Sequence, residues 1–182
     1  MSISHRWISP VRLAPIYAGD EAGDCMKLLL LSDSHGRLVN LLDAVDRETP
    51  DAVFHLGDLC EDAEDLAAAY PELPVTMVAG NCDGWGVSAP GEIEVTVEGV
   101  RLFLTHGHLY RVKQGLELLR NESLARGADV VCYGHTHVSK VEKNLDGSWL
   151  VNPGTVGGIG NRATYGVVII EHGQKSVEIK EL

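Results

Sequence analysis

The stretch that decides the fold is "MKLLLLSDSHGRLVNLLDAVDRE", residues 26–48, in which a short polar loop joins an apolar run to a helical pattern. The apolar run is continuous, which is typical of a strand covered on both faces. Residues 38–48 carry apolar side chains at helical spacing. Between the two elements lie Asp33 and His35, which are side chains that bind metal ions. The stretch therefore predicts a β-α step with metal-binding groups at the carboxyl end of the strand.

The β-α pattern continues and then changes to hairpins. A strand, a helix and a strand follow in "DAVFHLG", "DAEDLAAAYPE" and "PVTMVAG", with crossovers long enough for parallel pairing. After residue 90, alternating patterns predict antiparallel hairpins that turn at Glu98–Gly99, Asp146–Gly147 and His172–Gly173. An amphipathic helix from Val112, closed by Gly127, and a buried strand, "ADVVCYG", lie between the first two hairpins. We predict an α/β fold, a four-layer α/β/β/α sandwich of two mixed sheets with flanking helices.

Length, charge and cysteine content narrow the class of protein. The chain has 182 residues, a hydrophobic fraction of 45% and a formal net charge of −11. Such a length suffices for one domain, and an acidic surface repels nucleic acid and anionic membranes. We therefore expect no membrane partner and no bulk nucleic-acid binding. Four scattered cysteines without a CxxC pair predict reduced, mostly buried thiols. These thiols, together with the lack of a secretory or transmembrane run in the sequence, predict a cytoplasmic protein.

Candidate metal ligands follow the predicted strands, usually beside a glycine. They are Asp33, His35, Asp58, Asn81, His106, His135 and His137. Ligands bind at the carboxyl ends of strands in open α/β sheets, so we expect these seven side chains to converge. Carboxylate, amide oxygen and imidazole suit manganese, iron, nickel or zinc, and a shared carboxylate can bridge two ions. Each motif alone is common in turns, but the ordered set predicts a two-metal site that activates water for displacement at phosphorus.

The ordered motifs D-x-H, G-D, G-N, H-G and G-H-x-H resemble those of the calcineurin-like metallophosphoesterase superfamily, from Met26 to Leu182. "GNCD" and "VNPGTVGG" resemble the small prokaryotic phosphodiesterase branch, which is itself similar to a metal-poor retromer scaffold subunit. The resemblance implies two divalent ions, with manganese first and nickel, iron or zinc as alternatives. It implies that the first ion is held by Asp33, His35, Asp58 and His137. It implies that Asp58 bridges and that the second ion is completed by Asn81, His106 and His135.

The same resemblance implies catalysis by a hydroxide that the two ions activate, with Asp58 and Asn81 as catalytic residues. Two other side chains have open interpretations. His108 is a third candidate catalytic residue, and Asn81, His108 and Arg162 are the candidate substrate contacts. His108, two residues after a predicted ligand, contacts the substrate phosphate, hydrogen-bonds a metal-site group or is an exposed loop histidine. Arg162 either binds the phosphate bidentately or is a solvated surface arginine. Asn152–Pro153–Gly154 either shapes the substrate loop or is a simple turn, and His55 is predicted to be a core histidine.

One residue departs from the family pattern. Many superfamily members have histidine directly after the metal-binding asparagine, where it helps protonate the leaving group, but this chain has Cys82. A thiol, with a pKa of about 8.5, is a poor proton donor at neutral pH. We therefore predict a steep dependence of turnover on the leaving group. Asp83, which would orient such a histidine, is left to cap the turn or to support a ligand.

Three functions are compatible with the motifs. A metal-dependent phosphodiesterase acting on a small phosphodiester is the leading hypothesis, and the alternatives are a non-catalytic retromer-like scaffold and a phosphomonoesterase or protein phosphatase. The complete ligand set argues against the scaffold. We predict that residues 26–182 form the metallophosphoesterase domain and that residues 1–25 are an N-terminal extension. Family resemblance together with apolar side chains in that extension predicts a homo-oligomer; these are Trp7, Ile8, Leu13, Ile16 and Tyr17.

Overall fold

The apolar run that opens the domain forms the central strand of a five-stranded sheet. This computed structural model describes residues 25–84 and 87–182. The strands are β1 (Met26–Leu31), β2 (Ala52–His55), β3 (Val75–Met77), β4 (Glu92–Val97), β5 (Val100–Thr105), β6 (Val130–Cys132), β7 (Lys140–Lys143), β8 (Trp149–Asn152), β9 (Thr164–Glu171) and β10 (Gln174–Glu181). The helices are α1 (Leu38–Glu48), α2 (Cys60–Ala69) and α3 (Glu117–Arg126), with a 3₁₀ turn at His108–Tyr110.

Both sheets are mixed, as the sequence predicts. The first has the order β10-β9-β1-β2-β3, in which β1, β2 and β3 are parallel and β9 is antiparallel to its neighbours β1 and β10. The second has the order β4-β5-β6-β8-β7, in which β5, β6 and β8 are parallel and the edge strands are antiparallel. The final hairpin therefore returns to the first sheet. The predicted sandwich of two mixed sheets with flanking helices is confirmed.

The four leucines of β1 explain its continuous apolar sequence. Leu28 and Leu30 pack in the core between the sheets, whereas Leu29 and Leu31 pack on the other face against the helices. All four side chains are fully buried. Because successive side chains of a strand alternate between its faces, a strand covered on both sides needs apolar residues at every position. Each such burial contributes about 1.5–3 kcal/mol.

Two of the three predicted two-residue turns are confirmed. Glu98–Gly99 and His172–Gly173 each have positive φ at both residues and join directly paired strands. The third hairpin is also present, but its turn is wider than two residues, because β7 and β8 end at the Lys143–Trp149 pair and leave a five-residue loop that contains Asp146 and Gly147. In that loop the carboxylate of Asp146 accepts hydrogen bonds from the backbone and hydroxyl of Ser148, at 3.0 and 2.7 Å. This local hydrogen bonding favours the wider turn.

Helix α3 begins later than its sequence pattern predicts. The pattern starts at Val112, but the helix starts at Glu117, after the 3₁₀ turn, and it ends at Arg126 with Gly127 as its cap, as predicted. Val112 is instead buried beneath α3 with Phe103 and Leu119. An apolar residue spaced like the helix face can therefore belong to the preceding loop when it packs into the same core.

The structure also bears on the expectations about cysteine burial and membrane-spanning helices. Cys60 and Cys132 are buried, as expected, but Cys25 and Cys82 are exposed, so the expectation of mostly buried thiols holds for two of them. Within the described ranges, no helix combines the length and the apolar character needed to cross a membrane. The expected N-terminal anchors all lie in residues 1–24, outside the described residues.

Candidate metal centre

The structure brings the seven predicted ligands together, on the loops that follow β1, β2, β3, β5 and β6. We call them the ligand cluster. Two groups have ligand atoms that all lie within 4.8 Å of one another. One group consists of Asp33, His35, Asp58 and His137, and the other consists of Asp58, His106 and His135. Asn81 joins the second group, because its Oδ1 lies 3.2 Å from Nε2 of His106. Asp58 is common to both.

Most of the ligand cluster has left-handed backbone conformation. The φ angles are 55° at Asp33, 46° at His35, 61° at Asp58, 70° at His135 and 59° at His137. A non-glycine residue held there costs on the order of 1–3 kcal/mol and persists when the surrounding contacts fix it. Such residues are concentrated at functional sites.

Ring nitrogens and a carboxylate oxygen of the ligand cluster face one another at short distances. Nε2 of His35 lies 3.3 Å from Nε2 of His137, and Nε2 of His106 lies 3.2 Å from Nδ1 of His135. Oδ1 of Asp33 is buried and lies 3.0 Å from Nε2 of His137, yet it makes no hydrogen bond within the described part of the chain. Lone pairs that point at one another in a buried site are the arrangement that divalent cations bind. The residues therefore fit two metal ions.

Hydrogen bonds to the backbone fix which histidine nitrogens face the site. Nδ1 of His106 lies 2.7 Å from the carbonyl of Leu56, and Nδ1 of His137 lies 3.4 Å from the carbonyl of Ile159. A carbonyl can only accept, so each contact requires a proton on Nδ1, and Nε2 is the nitrogen that faces the ligand cluster. This is the tautomer that a metal-binding histidine needs.

The two carboxylates are oriented by donors on one of their oxygens. Oδ2 of Asp33 accepts hydrogen bonds from the hydroxyl of Ser32 at 2.5 Å and the backbone of His135 at 3.1 Å, which leaves Oδ1 facing the cluster. Oδ1 of Asp58 accepts the backbone N–H of Cys82 at 2.9 Å. Burial alone would raise the pKa of Asp58, but this hydrogen bond and the nearby His106 hold it below its usual value of 3.8. Asp58 is therefore a carboxylate at neutral pH.

Of the two predicted substrate contacts outside the ligand cluster, the structure brings one to the site. The half-buried ring of His108 has its centroid 5.4 Å from that of His106, and its buried Nδ1 has no hydrogen-bond partner among residues 25–84 and 87–182. Burial and then His106 lower the pKa of His108, so its ring is neutral at pH 7. Arg162 is 81% exposed, and its guanidinium pairs with Glu181 at 3.0 Å. Within the described residues, no hydrogen bond or ion pair joins Arg162 to the ligand cluster.

Cys82 and His55 lie close to the ligand cluster. The thiol of Cys82 is exposed and accepts a hydrogen bond from the side chain of Asn81 at 3.3 Å. Burial and then Asp58 raise its pKa to about 11. His55 is buried in β2, as predicted, with Nε2 at 3.2 Å from the hydroxyl of Ser34. Burial lowers the pKa of His55 to about 4, so it contributes no charge beneath the site.

Two residues hold the site in place: Asn152, whose role the sequence left open, and Thr155, which the sequence analysis did not identify. Asn152 is fully buried and donates to the carbonyl of Gly134 at 2.8 Å and the hydroxyl of Thr136 at 3.1 Å. Thr155 donates to the carbonyl of Asp33 at 2.8 Å. The segment therefore braces two ligand-bearing loops. A buried strand that ends in asparagine before Pro-Gly was the signal in the sequence, but the partners lie 16 or more residues away.

Comparisons with known proteins found a matching family model and similar sequences. A family model of the calcineurin-like phosphoesterase superfamily domain matches residues 26–175. The chain is 35% identical over 134 residues to the probable metallophosphoesterase YsnB of Bacillus subtilis, covering 72% of this chain and 75% of that protein. It is 31% identical over 169 residues to the phosphodiesterase YfcE of Escherichia coli, covering 79% of this chain and 87% of that protein.

A solved structure has the same fold. It is a conserved uncharacterized protein of Streptococcus pneumoniae, described as a predicted phosphoesterase, with a TM-score of 0.74 and 24% identity. The match covers 87% of this chain and 90% of that chain. At this identity the likeness concerns the fold alone.

Proposed function

The chain belongs to the calcineurin-like phosphoesterase superfamily, and on that premise we propose that it is a phosphodiesterase with a binuclear metal centre. It is a metal-dependent phosphoesterase, as its relatives are. The second ion and the diester substrate are the proposed part. One observation carries the proposal: Asp58 belongs to both groups of ligand atoms, so one carboxylate is available to two ions.

The roles of this chain's residues follow from their geometry. Two divalent ions, when bound by these residues, would supply an activated water and would neutralise charge on the phosphoryl oxygens. Asp58 remains anionic between His35 and His106, whose Nε2 atoms lie 3.9 and 3.4 Å from its oxygens. Asn81 contributes a neutral amide oxygen, and His108 offers a neutral N–H to a substrate oxygen beside it. We propose manganese first, with nickel, iron or zinc as alternatives, because the donors mix oxygen and nitrogen.

The leaving group is proposed to depart without a strong proton donor. Cys82 occupies the position of the expected histidine, and its thiol is a weaker acid than an imidazolium. A leaving group with a low pKa needs little protonation, so aryl diesters are expected to react readily and alkyl diesters slowly. The small phosphodiester that the protein uses naturally should accordingly have a good leaving group.

A leaving-group series tests the proposal. Metal-stripped protein is reconstituted with manganese, nickel, iron or zinc, and kcat/KM is measured for aryl and alkyl phosphodiesters and for a matched aryl monoester. We expect a preference for the diester over the monoester and a steep dependence on leaving-group pKa that Cys82→Ala does not change. A preference for the monoester would favour the phosphomonoesterase. A shallow dependence in the wild type that becomes steeper in Cys82→Ala would identify the thiol or its neighbour as a proton donor.

Three finer statements belong to the same proposal. We propose that residues 1–25 are an extension to a domain of residues 26–182, that copies of the chain associate, and that the protein is cytoplasmic. The association rests on family resemblance and on apolar residues outside the described ranges. Light scattering of the full chain and of residues 26–182 at micromolar concentration tests the first two, and cell fractionation tests the third. A full chain that is monomeric throughout would contradict association.

A further inference from the structure

We infer that Asp83 is a positioning residue that holds the bridging Asp58 and the neighbouring Asn81 in place for the second metal ion. The inference rests on the proposed two-metal centre. Four backbone N–H groups donate hydrogen bonds to the carboxylate of Asp83. Oδ2 of Asp83 accepts the backbone N–H groups of Asp58 at 3.0 Å and Gly80 at 2.7 Å. Oδ1 accepts those of Leu59 at 3.0 Å and Cys60 at 2.7 Å.

Three of these donors belong to the loop that carries Asp58 into α2. Asp58 and Leu59 have positive φ angles of 61° and 80°, and Leu59 precedes α2 without providing a side-chain cap. Asp83 therefore replaces the missing cap from a loop more than 20 residues away, with its charge at the favourable end of the helix. Without this carboxylate, the N–H groups of the loop would lose the partner that keeps Asp58 in its left-handed conformation.

The loop that carries Asp83 also donates a hydrogen bond to the carboxylate of Asp58. The backbone N–H of Cys82 donates to Oδ1 of Asp58, and Gly80 packs so closely that a Cβ there would lie 2.2 Å from the same oxygen. Asn81 lies between these two positions. The loop that ends in Asp83 therefore both anchors the backbone of Asp58 and touches its carboxylate, so the two ligands are positioned as a unit.

The two proposed ions depend unequally on this unit. The first ion also has Asp33, His35 and His137, which lie on other loops than those whose N–H groups Asp83 accepts. The second ion has Asp58, Asn81, His106 and His135, so two of its four ligands come from loops that Asp83 holds. Loss of Asp83 should therefore weaken the second ion more than the first. A general loss of stability would give no such asymmetry.

The test is manganese binding to Asp83→Asn in the full chain, by titration and by electron paramagnetic resonance. Asparagine keeps the size but places an NH₂ group where two N–H donors need an acceptor. We expect the second manganese to bind about 10–100-fold more weakly, as for other residues that orient metal ligands, and the first to change by less than about threefold. The spectrum of a spin-coupled pair should give way to that of an isolated ion.

Two further variants keep the result interpretable. Glu48→Gln alters another buried carboxylate, which has no contact with the ligand cluster among the described residues, and it should keep the coupled pair. If Asp83→Asn does not fold, Asp83→Ser, with a short acceptor and no NH₂ group, is expected to show the same asymmetric loss. Unchanged binding of the second manganese, or equal weakening of both ions, would overturn the role of Asp83. A wild type that never forms a coupled pair would instead overturn the binuclear centre and this inference with it.

Discussion

Two sites in this protein contain buried acidic side chains, and they differ in the groups that face the negative charge. In the first, which we call the Glu48 cluster, the carboxylate of Glu48 accepts hydrogen bonds from Tyr165 at 2.9 Å and from Lys180 at 3.0 and 3.1 Å, with Lys27 at 3.8 Å. In the ligand cluster, Asp33 and Asp58 face imidazoles and an amide instead of ammonium groups.

The difference separates a structural charge from a functional one. Glu48 has cations of its own chain, so its charge is compensated when the protein folds. Asp33 keeps a buried oxygen without a hydrogen bond from the described residues, with Nε2 of His137 3.0 Å away, which fits compensation by an added cation. Both clusters contain buried charge, and the nature of the partner decides whether that charge serves stability or metal binding. Substitutions in the two clusters test this distinction.

The largest effect is expected for Asp58→Asn. The substitution removes the negative charge that both ligand groups share, so kcat/KM for an aryl phosphodiester should fall at least about 100-fold, the upper range for residues that merely orient a ligand. The fold should persist, because an amide oxygen can still accept the N–H of Cys82. Circular dichroism checks the fold, and Glu48→Gln should keep its activity within about twofold. Activity of Asp58→Asn within about tenfold of wild type would contradict the bridging role.

Metal addition should stabilise the wild type more than Asp58→Asn, which keeps the other ligands but lacks the shared charge. A ligand that binds the folded state at 100 times its dissociation constant adds about 2.7 kcal/mol to the free energy of unfolding. For a chain of this size, that corresponds to a rise in Tm of roughly 5–10 °C. The rise in Tm is measured by thermal unfolding of metal-stripped protein with and without manganese. An equal rise in both proteins would mean that metal binding does not depend on the charge of Asp58.

Glu48→Gln should give the opposite pattern, a loss of stability without a loss of activity. The neutral glutamine would leave Lys180 without its charged partner and weaken the bond from Tyr165, which should lower the free energy of unfolding by about 1–3 kcal/mol. Urea denaturation of metal-free protein measures this value. The matched control is Glu178→Gln, whose exposed carboxylate lies 3.8 Å from Lys180 and should change stability by less than about 0.5 kcal/mol. Equal losses in both variants would show that burial of Glu48 is unimportant.

The stability gap between wild type and Glu48→Gln should depend on pH. Burial alone would raise the pKa of Glu48, but hydrogen bonds from Lys180 and Tyr165 outweigh it, and the pKa lies below its usual 4.5. A carboxyl with a lowered pKa contributes stability above the unfolded-state value and loses it as the pH falls through the folded-state value. The gap should therefore be constant from about pH 5.5 to 7 and shrink below about pH 4.5. A gap that widens on acidification would reverse the assigned shift.

The smallest effect is expected for Arg162→Ala. Binding of substrate phosphate by Arg162, one of its two sequence-based interpretations, requires the guanidinium to leave Glu181, and exposed pairs of this kind are worth at most about 1 kcal/mol. We expect KM for a phosphodiester to change by less than about threefold, with kcat unchanged. Glu181→Gln, which frees the guanidinium, is the control. A rise in KM of about tenfold for Arg162→Ala alone would assign Arg162 to the substrate.

The fold followed from sequence wherever the signal was local. The continuous apolar run of β1, the helical spacing of α1 and the Glu-Gly and His-Gly turns each reflect contacts between residues close in the chain or the periodicity of one element. The β7–β8 loop and the start of α3 could not be predicted in the same way. In the β7–β8 loop, the side chain of Asp146 accepts a hydrogen bond from the backbone of Ser148. At the start of α3, Val112 packs under the helix although it lies outside it.

The sequence by itself determined which side chains occupy the carboxyl ends of the strands, because strand periodicity fixes where each strand stops and motif order fixes the polar residues that come next. Tertiary structure alone decided how these side chains are held. The proton positions of His106 and His137, the bracing by Asn152 and the capping of α2 by Asp83 all depend on partners 16 to 50 residues away. Hydrogen bonds of that separation leave no periodic pattern in a sequence, since each requires one particular approach of two folded loops.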